Sequence, residues 1–259
     1  MGMEIAYSRA GAGVPLVLLH AFPLSSVMWD AQRGGLSREC EVITVDQRGF
    51  GESAAPDAFD GLAPNLTVAA DDLAALLDRL EVDQFILGGL SMGGYVAMNF
   101  LRRHADRVRG LLLANTKASA DPPEAAENRR RIADIVEQDG TSEVLLTEVF
   151  PKLLSDSADP DVVRHVEALV RQAPPNAVAW AQRAMSVRPD SFDVLASLSI
   201  PVLVIAGERD ALTPVTEAEA MATATADCEL VVLPGVGHLS AMQAPREFNA
   251  AVSGLLKRV

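Results

Sequence analysis

Gly88-Gly89-Leu90-Ser91-Met92-Gly93-Gly94 follows the apolar run Phe85-Ile86-Leu87 and leads into Tyr95-Val96-Ala97-Met98-Asn99-Phe100-Leu101. The order reads as strand, sharp turn, helix. Gly89-Leu90-Ser91-Met92-Gly93 is a G-x-S-x-G pattern, in which the turn holds the serine in strained dihedrals and lifts its hydroxyl above a sheet. Residues two before and two after the serine approach each other there, and glycine at both places removes a Cβ clash. The following helix aims its first free N–H groups at the place where an oxyanion would form. A plain Gly-rich turn with an exposed serine is the alternative. The position between a buried strand and a helix start argues against it.

Outward from this turn, short apolar runs alternate with helical patterns. Pro15–His20, Val42–Asp46, residues 84–88, Val108–Ala114, Pro201–Gly207 and Glu229–Leu233 read as buried strands, and residues 3–8 as a weak edge strand. Helices are expected over 27–38, over 67–80 with Thr67 as N-cap, over 95–103, from Glu217 to Ala226, and from Pro245 to Leu256. Strands alternating with helices imply a mostly parallel, doubly wound α/β sheet. Between 117 and 190 the strands stop. Helical patterns over 124–139, 142–154, 160–172 and 176–187, punctuated by prolines, read as an insertion. The division is therefore a core of 1–116 and 191–259 interrupted by a helical piece, 117–190.

In such sheets function gathers at the carboxyl ends of the strands. Five segments fall there: Ala21-Phe22, the loop after Asp46, Ser91, Asp210 and His238. A serine hydroxyl needs a base within hydrogen-bond reach, and the base needs an acceptor that fixes its tautomer. Of four histidines, His104 and His165 read as surface residues and His20 as structural; His238, in a Gly-rich loop after the last strand, reads as the base. Asp210 reads as the acid, with Glu208 as its rival. The other common place for the acid, after the strand ending at Ala114, offers only uncharged Asn115 and Thr116. The backbone N–H groups of Phe22 and Met92 are the expected oxyanion donors.

Composition narrows the partners. With 22 basic and 35 acidic residues the net charge is −13, which argues against nucleic acid or an anionic membrane as partner. No apolar run approaches the roughly 20 residues of a membrane helix. Two distant cysteines, Cys40 and Cys228, fit a reducing compartment and match no metal spacing. The N-terminus has no basic-then-apolar leader, so a cytoplasmic protein is expected. The oligomeric state is not set by the sequence; a homodimer is one option.

The chain resembles α/β-hydrolase-fold enzymes that bear a helical cap. The resemblance rests on Leu18–Pro23, Asp46–Ser53, Gly89–Gly94, Gly207–Asp210 and Gly237-His238, and is nearest the 3-oxoadipate enol-lactonase-like and non-haem-haloperoxidase-like esterase branch, with its Trp29-Asp30. It departs at Ala21, where the family usually has glycine, and in a short N-terminus. It implies a serine hydrolase acting on a small carboxylic ester or lactone, with catalytic Ser91, Asp210 and His238 and no cofactor or metal. It implies also that 117–190 caps the serine, with Trp180 and Met185 as candidates for the substrate pocket. A C–C bond hydrolase or perhydrolase would use the same residues. A ligand receptor on the same fold is the alternative of another class.

Overall fold

The computed structural model describes residues 3–259. Seven strands form one sheet: β1 (Tyr7–Ala10), β2 (Pro15–Leu19), β3 (Glu41–Val45), β4 (Phe85–Leu90), β5 (Val108–Ala114), β6 (Val202–Gly207) and β7 (Cys228–Leu233). Their order is β1-β3-β2-β4-β5-β6-β7, and all neighbours are parallel except β1, which pairs antiparallel with β3 at one edge. The central strands β4 and β6 are buried at every residue, as unbroken apolar runs require when both faces are covered.

The covering helices are α1 (Asp30–Leu36), α2 (Leu66–Arg79), α3 (Met92–His104), then α4 (Pro123–Asp139), α5 (Val144–Glu148), α6 (Pro160–Arg171) and α7 (Pro175–Ser186), and finally α8 (Phe192–Ala196), α9 (Val215–Ala224), α10 (Ser240–Gln243) and α11 (Pro245–Leu256). Helices α2, α3, α8 and α9 form one packed row against the sheet, and α1, α10 and α11 another. Trp29, just before α1, is fully buried and packs against Phe248 of α11 with ring centroids 5.9 Å apart. Burying a large apolar side chain in this way contributes about 1.5–3 kcal/mol. Between β5 and β6 the described residues form only helices, α4 to α8, plus a short 3₁₀ turn. None of the helices of the described residues is long and apolar enough to cross a membrane.

The structure moves several expected boundaries. The edge strand begins at Tyr7 rather than Met3. The N-cap of α2 is Asn65, whose side chain accepts from the Thr67 N–H at 2.8 Å, so Thr67 is already helical. The helix expected over 142–154 is broken into α5 and the 3₁₀ turn Phe150–Lys152, because Pro151 cannot donate to an α-helical carbonyl. Helices α8 and α10 are too short to leave a periodic signature.

Candidate active site

Ser91 sits between β4 and α3 with φ +55° and ψ −114°, a region that L-residues rarely occupy. Close packing makes the turn possible. A Cβ on Gly89 would lie 2.2 Å from the Gly93 carbonyl, and one on Gly93 would lie 2.1 Å from the Leu19 carbonyl oxygen on β2. The turn is tied to the next strand as well. Ser91 N–H donates to the Ala114 carbonyl at 2.9 Å, and the Thr116 hydroxyl donates to the Ser91 carbonyl at 2.8 Å.

His238 and Asp210 meet 2.8 Å apart, Nδ1 to Oδ2, with both side chains almost wholly buried. Asp210 is fixed from several sides. Its Oδ1 accepts from the backbone N–H groups of Leu212 and Thr213 at 2.8 and 3.0 Å, and its Oδ2 accepts also from the Asn115 amide at 2.9 Å and the Thr213 hydroxyl. Burial alone would raise its pKa. The charge and hydrogen bond of His238, with the Thr213 and Asn115 bonds, outweigh that and pull it down to about 2. With Nδ1 turned to Asp210, the Nε2 of His238 is the nitrogen left for another partner. The rival Glu208 is engaged elsewhere: it accepts from the Gly235 N–H at 2.8 Å and holds the turn that precedes His238.

Asn115 is a residue whose part in this arrangement the sequence reading missed. At φ +44° it occupies the place after β5 that is the alternative position for the acid. Its amide bridges Asp210 and the Gly237 carbonyl, and its oxygen accepts from Ser240. Thr213 was missed too. The only available signals were an uncharged Asn at an acid position and a Thr three residues after an Asp.

The loop after β2 is held by His20, which is fully buried. Its Nε2 accepts from the Gln47 N–H at 3.0 Å, so the proton sits on Nδ1, which faces the Ala21 carbonyl at 3.0 Å. Burial lowers its pKa, keeping the ring neutral. The Gln47 side chain donates to the His20 carbonyl, and Asp46 accepts from Ser26 N–H at 2.7 Å and Glu52 N–H at 2.9 Å. Arg48 pairs bidentately with Asp72 and serves the scaffold. Among the described residues no backbone hydrogen bond occupies the N–H of Phe22 or of Met92, the first residue of α3. His165 is exposed on α6, and His104 packs on Phe100, both away from Ser91.

Ser91, His238, Phe22, Tyr95 and Thr213 line one cavity of about 220 Å³ whose remaining wall comes from α4, α5, α7 and the segments around Lys117 and Lys152. A larger cleft of about 460 Å³ lies between the loops after β2 and β3 and the end of α6, but neither Ser91 nor His238 reaches it. Met185 lines the cavity with Ser91. Trp180 does not. It stacks on Phe59, centroids 4.6 Å apart, and borders an outer groove instead. Both lie on α7, but five residues along an α-helix turn the side chain through about 140°, so the two point to different neighbours.

Residues 16–251 match the alpha/beta hydrolase family. A thermophilic esterase from Thermogutta terrifontis, solved with malate bound, superposes with a TM-score of 0.92 at 41% identity, covering 98% of this chain and 93% of that one. The enol-lactonase from Burkholderia xenovorans LB400 superposes with a TM-score of 0.86 at 26% identity, covering 98% and 96%. In sequence, 3-oxoadipate enol-lactonase 2 of Acinetobacter baylyi is 29% identical over 251 residues, 94% of this chain and 88% of that protein. A strained serine after the central strand, a buried His–Asp pair beside it, and a match that spans nearly the whole chain lead to one conclusion: this protein is an enzyme of the alpha/beta hydrolase family.

Proposed function

We propose that the chain hydrolyses a small carboxylic ester or lactone through an acyl-enzyme on Ser91. The observation that carries this reading is the 2.8 Å His238–Asp210 hydrogen bond beside a cavity that His238 and Ser91 both line. His238 Nε2 takes the Ser91 proton as Oγ bonds to the carbonyl carbon. The N–H groups of Phe22 and Met92 receive the developing oxyanion, a donor pair of which each member is worth about 3 kcal/mol. Collapse breaks the bond to the leaving oxygen, which takes the proton from His238. Water then attacks the acyl-Ser91 ester, His238 accepts its proton, and the acid leaves as Ser91 recovers its own. Asp210 orients the imidazole and stabilises its charged form. Helices α4 to α7 act as a cap that closes the cavity over Ser91. The names of the esterase and enol-lactonase relatives support the same bond class.

The test is turnover on a panel of p-nitrophenyl esters and simple lactones, with Ser91→Ala as control. Hydrolysis by the wild type and a loss of at least about 10⁴-fold in the variant are expected. Equal rates for the two proteins would remove Ser91 from the chemistry.

A further inference from the structure

The cavity that holds Ser91 and His238 has a cationic wall, although the chain as a whole carries −13. Its centre is Asp121, whose side chain is 2% exposed. Three cations surround this one carboxylate: Lys117 Nζ at 3.0 Å, Arg129 Nε at 2.5 Å and Arg188 Nη2 at 2.8 Å. Burial would raise the Asp121 pKa, but the charges of Arg129 and Arg188, and then Lys117, hold it below the usual range. Asp121 thus stays ionised, and the cluster keeps two positive charges in excess.

The cluster is held together by ion pairs, and two of its three cations line the cavity. Arg188 is spent on the scaffold: it donates to the Ser119 carbonyl at 2.6 Å and its guanidinium lies 4.1 Å over the Tyr95 ring. Arg129 Nη1 reaches Gln182 Oε1 at 3.2 Å, while among the described residues no hydrogen bond occupies its Nη2. Among the described residues Lys117 pairs with Asp121 alone, which leaves two ammonium protons. Lys117 and Arg129 both line the cavity. Lys117 also follows directly on Thr116, whose hydroxyl contacts the Ser91 carbonyl, so it leaves the backbone close to the nucleophile. Other charges do not cancel this wall. Lys152 adds a positive charge; Glu148 lines the cavity but is bound by both terminal nitrogens of Arg131; Asp210 is covered by its five donors.

A neutral substrate filling this space would strip water from two cations and leave their donors unmet. An anionic oxygen pair would satisfy them with charge-assisted bonds from groups already held in place by Asp121. We propose that the substrate carries, besides the scissile ester or lactone, an ionised carboxylate bound by Lys117 and Arg129. This rests on the serine-hydrolase reading of the same cavity and names its substrate class. Asp121 and Arg188 are then positioning residues.

The experiment compares two methyl esters of equal chain length, monomethyl glutarate and methyl pentanoate, by acid release at constant pH. In the wild type kcat/KM is expected to favour the charged ester by about 10- to 100-fold, the worth of hydrogen bonds to a charged group. The preference should shrink as salt is raised, and fall by a similar factor in Arg129→Gln and in Lys117→Met. Lys117→Met leaves both arginines on Asp121, so it reads the effect even if Arg129→Gln does not fold. A preference near one, or one that neither variant moves, overturns the proposal. A second arm separates this from the hydrolase reading: calorimetric titration of glutarate into Ser91→Ala. Binding that is weakened in Ser91→Ala/Lys117→Met supports the carboxylate site even if no ester turns over. No binding of glutarate overturns it even if neutral esters are hydrolysed.

Discussion

Two buried carboxylates serve the same cavity under opposite conditions, Asp121 in its wall and Asp210 behind His238. Asp210 is surrounded by neutral donors, two backbone N–H groups, a hydroxyl and an amide, and among the described residues one imidazole is the single ionisable group bonded to it. Asp121 is surrounded by three full cations. Both stay ionised and both are pulled below the ordinary carboxylate pKa. The surroundings differ in what they leave over. At Asp210 the neutral donors fix the carboxylate and leave its charge to act on His238. At Asp121 the carboxylate is outnumbered, so it acts as a counter-ion that gathers cations at the cavity wall.

The sharpest way to break this comparison is Asp210→Asn. It preserves shape but removes the charge and favours the wrong imidazole tautomer, so kcat on the best ester should fall about 10³- to 10⁴-fold. A loss under tenfold would move the acid elsewhere. Asp121→Ala should act on the fold first. Leaving nearly buried Arg188 and its companions without a counter-charge should cost about 3–5 kcal/mol in urea unfolding, with a smaller fall in kcat than Asp210→Asn gives.

Acid stability offers a third test. Asp210 binds its proton less tightly in the folded state (about 2) than at the ordinary value of 3.8. The stability this contributes is therefore present above about pH 4 and is lost as pH falls toward about 2. Its size is on the order of 2 kcal/mol. Unfolding free energy measured across that window should fall less steeply in Asp210→Asn than in the wild type; equal slopes would mean that Asp210 is not the depressed group. Thr213→Val, which removes one hydroxyl donor from Asp210 Oδ2, should cost about 1 kcal/mol. At the small end, Met185→Ala should shift KM a few-fold because it widens the cavity. Trp180→Ala should mainly lower stability, by about 2 kcal/mol, less than a fully buried tryptophan would cost. A KM effect larger at Trp180 than at Met185 would refute the placement of α7.

Much of the fold was legible because its central strands are short, nearly unbroken apolar runs, and because Gly89 and Gly93 are demanded by backbone contacts only 2.1–2.2 Å from where a Cβ would sit. Such constraints are local and show in the residue type itself. Pro151 is an equally local signal: it interrupts the helix that apolar spacing alone predicts over 142–154 and leaves α5 and a 3₁₀ turn. The pocket was less legible. Trp180 and Met185 look equally apolar in the sequence, and only the rotation of α7 sends one to Phe59 and the other to the cavity.

By itself the sequence determined the alternating architecture, the strained serine turn and the residue types able to serve as base and acid, since each follows from local backbone geometry or from titration chemistry. Tertiary structure alone decided that Asn115 steadies Asp210, that Glu208 holds a turn instead, and that Lys117, Arg129 and Arg188 converge on Asp121. Those contacts join residues up to 95 positions apart in the chain, and such distances close only when strands and helices pack.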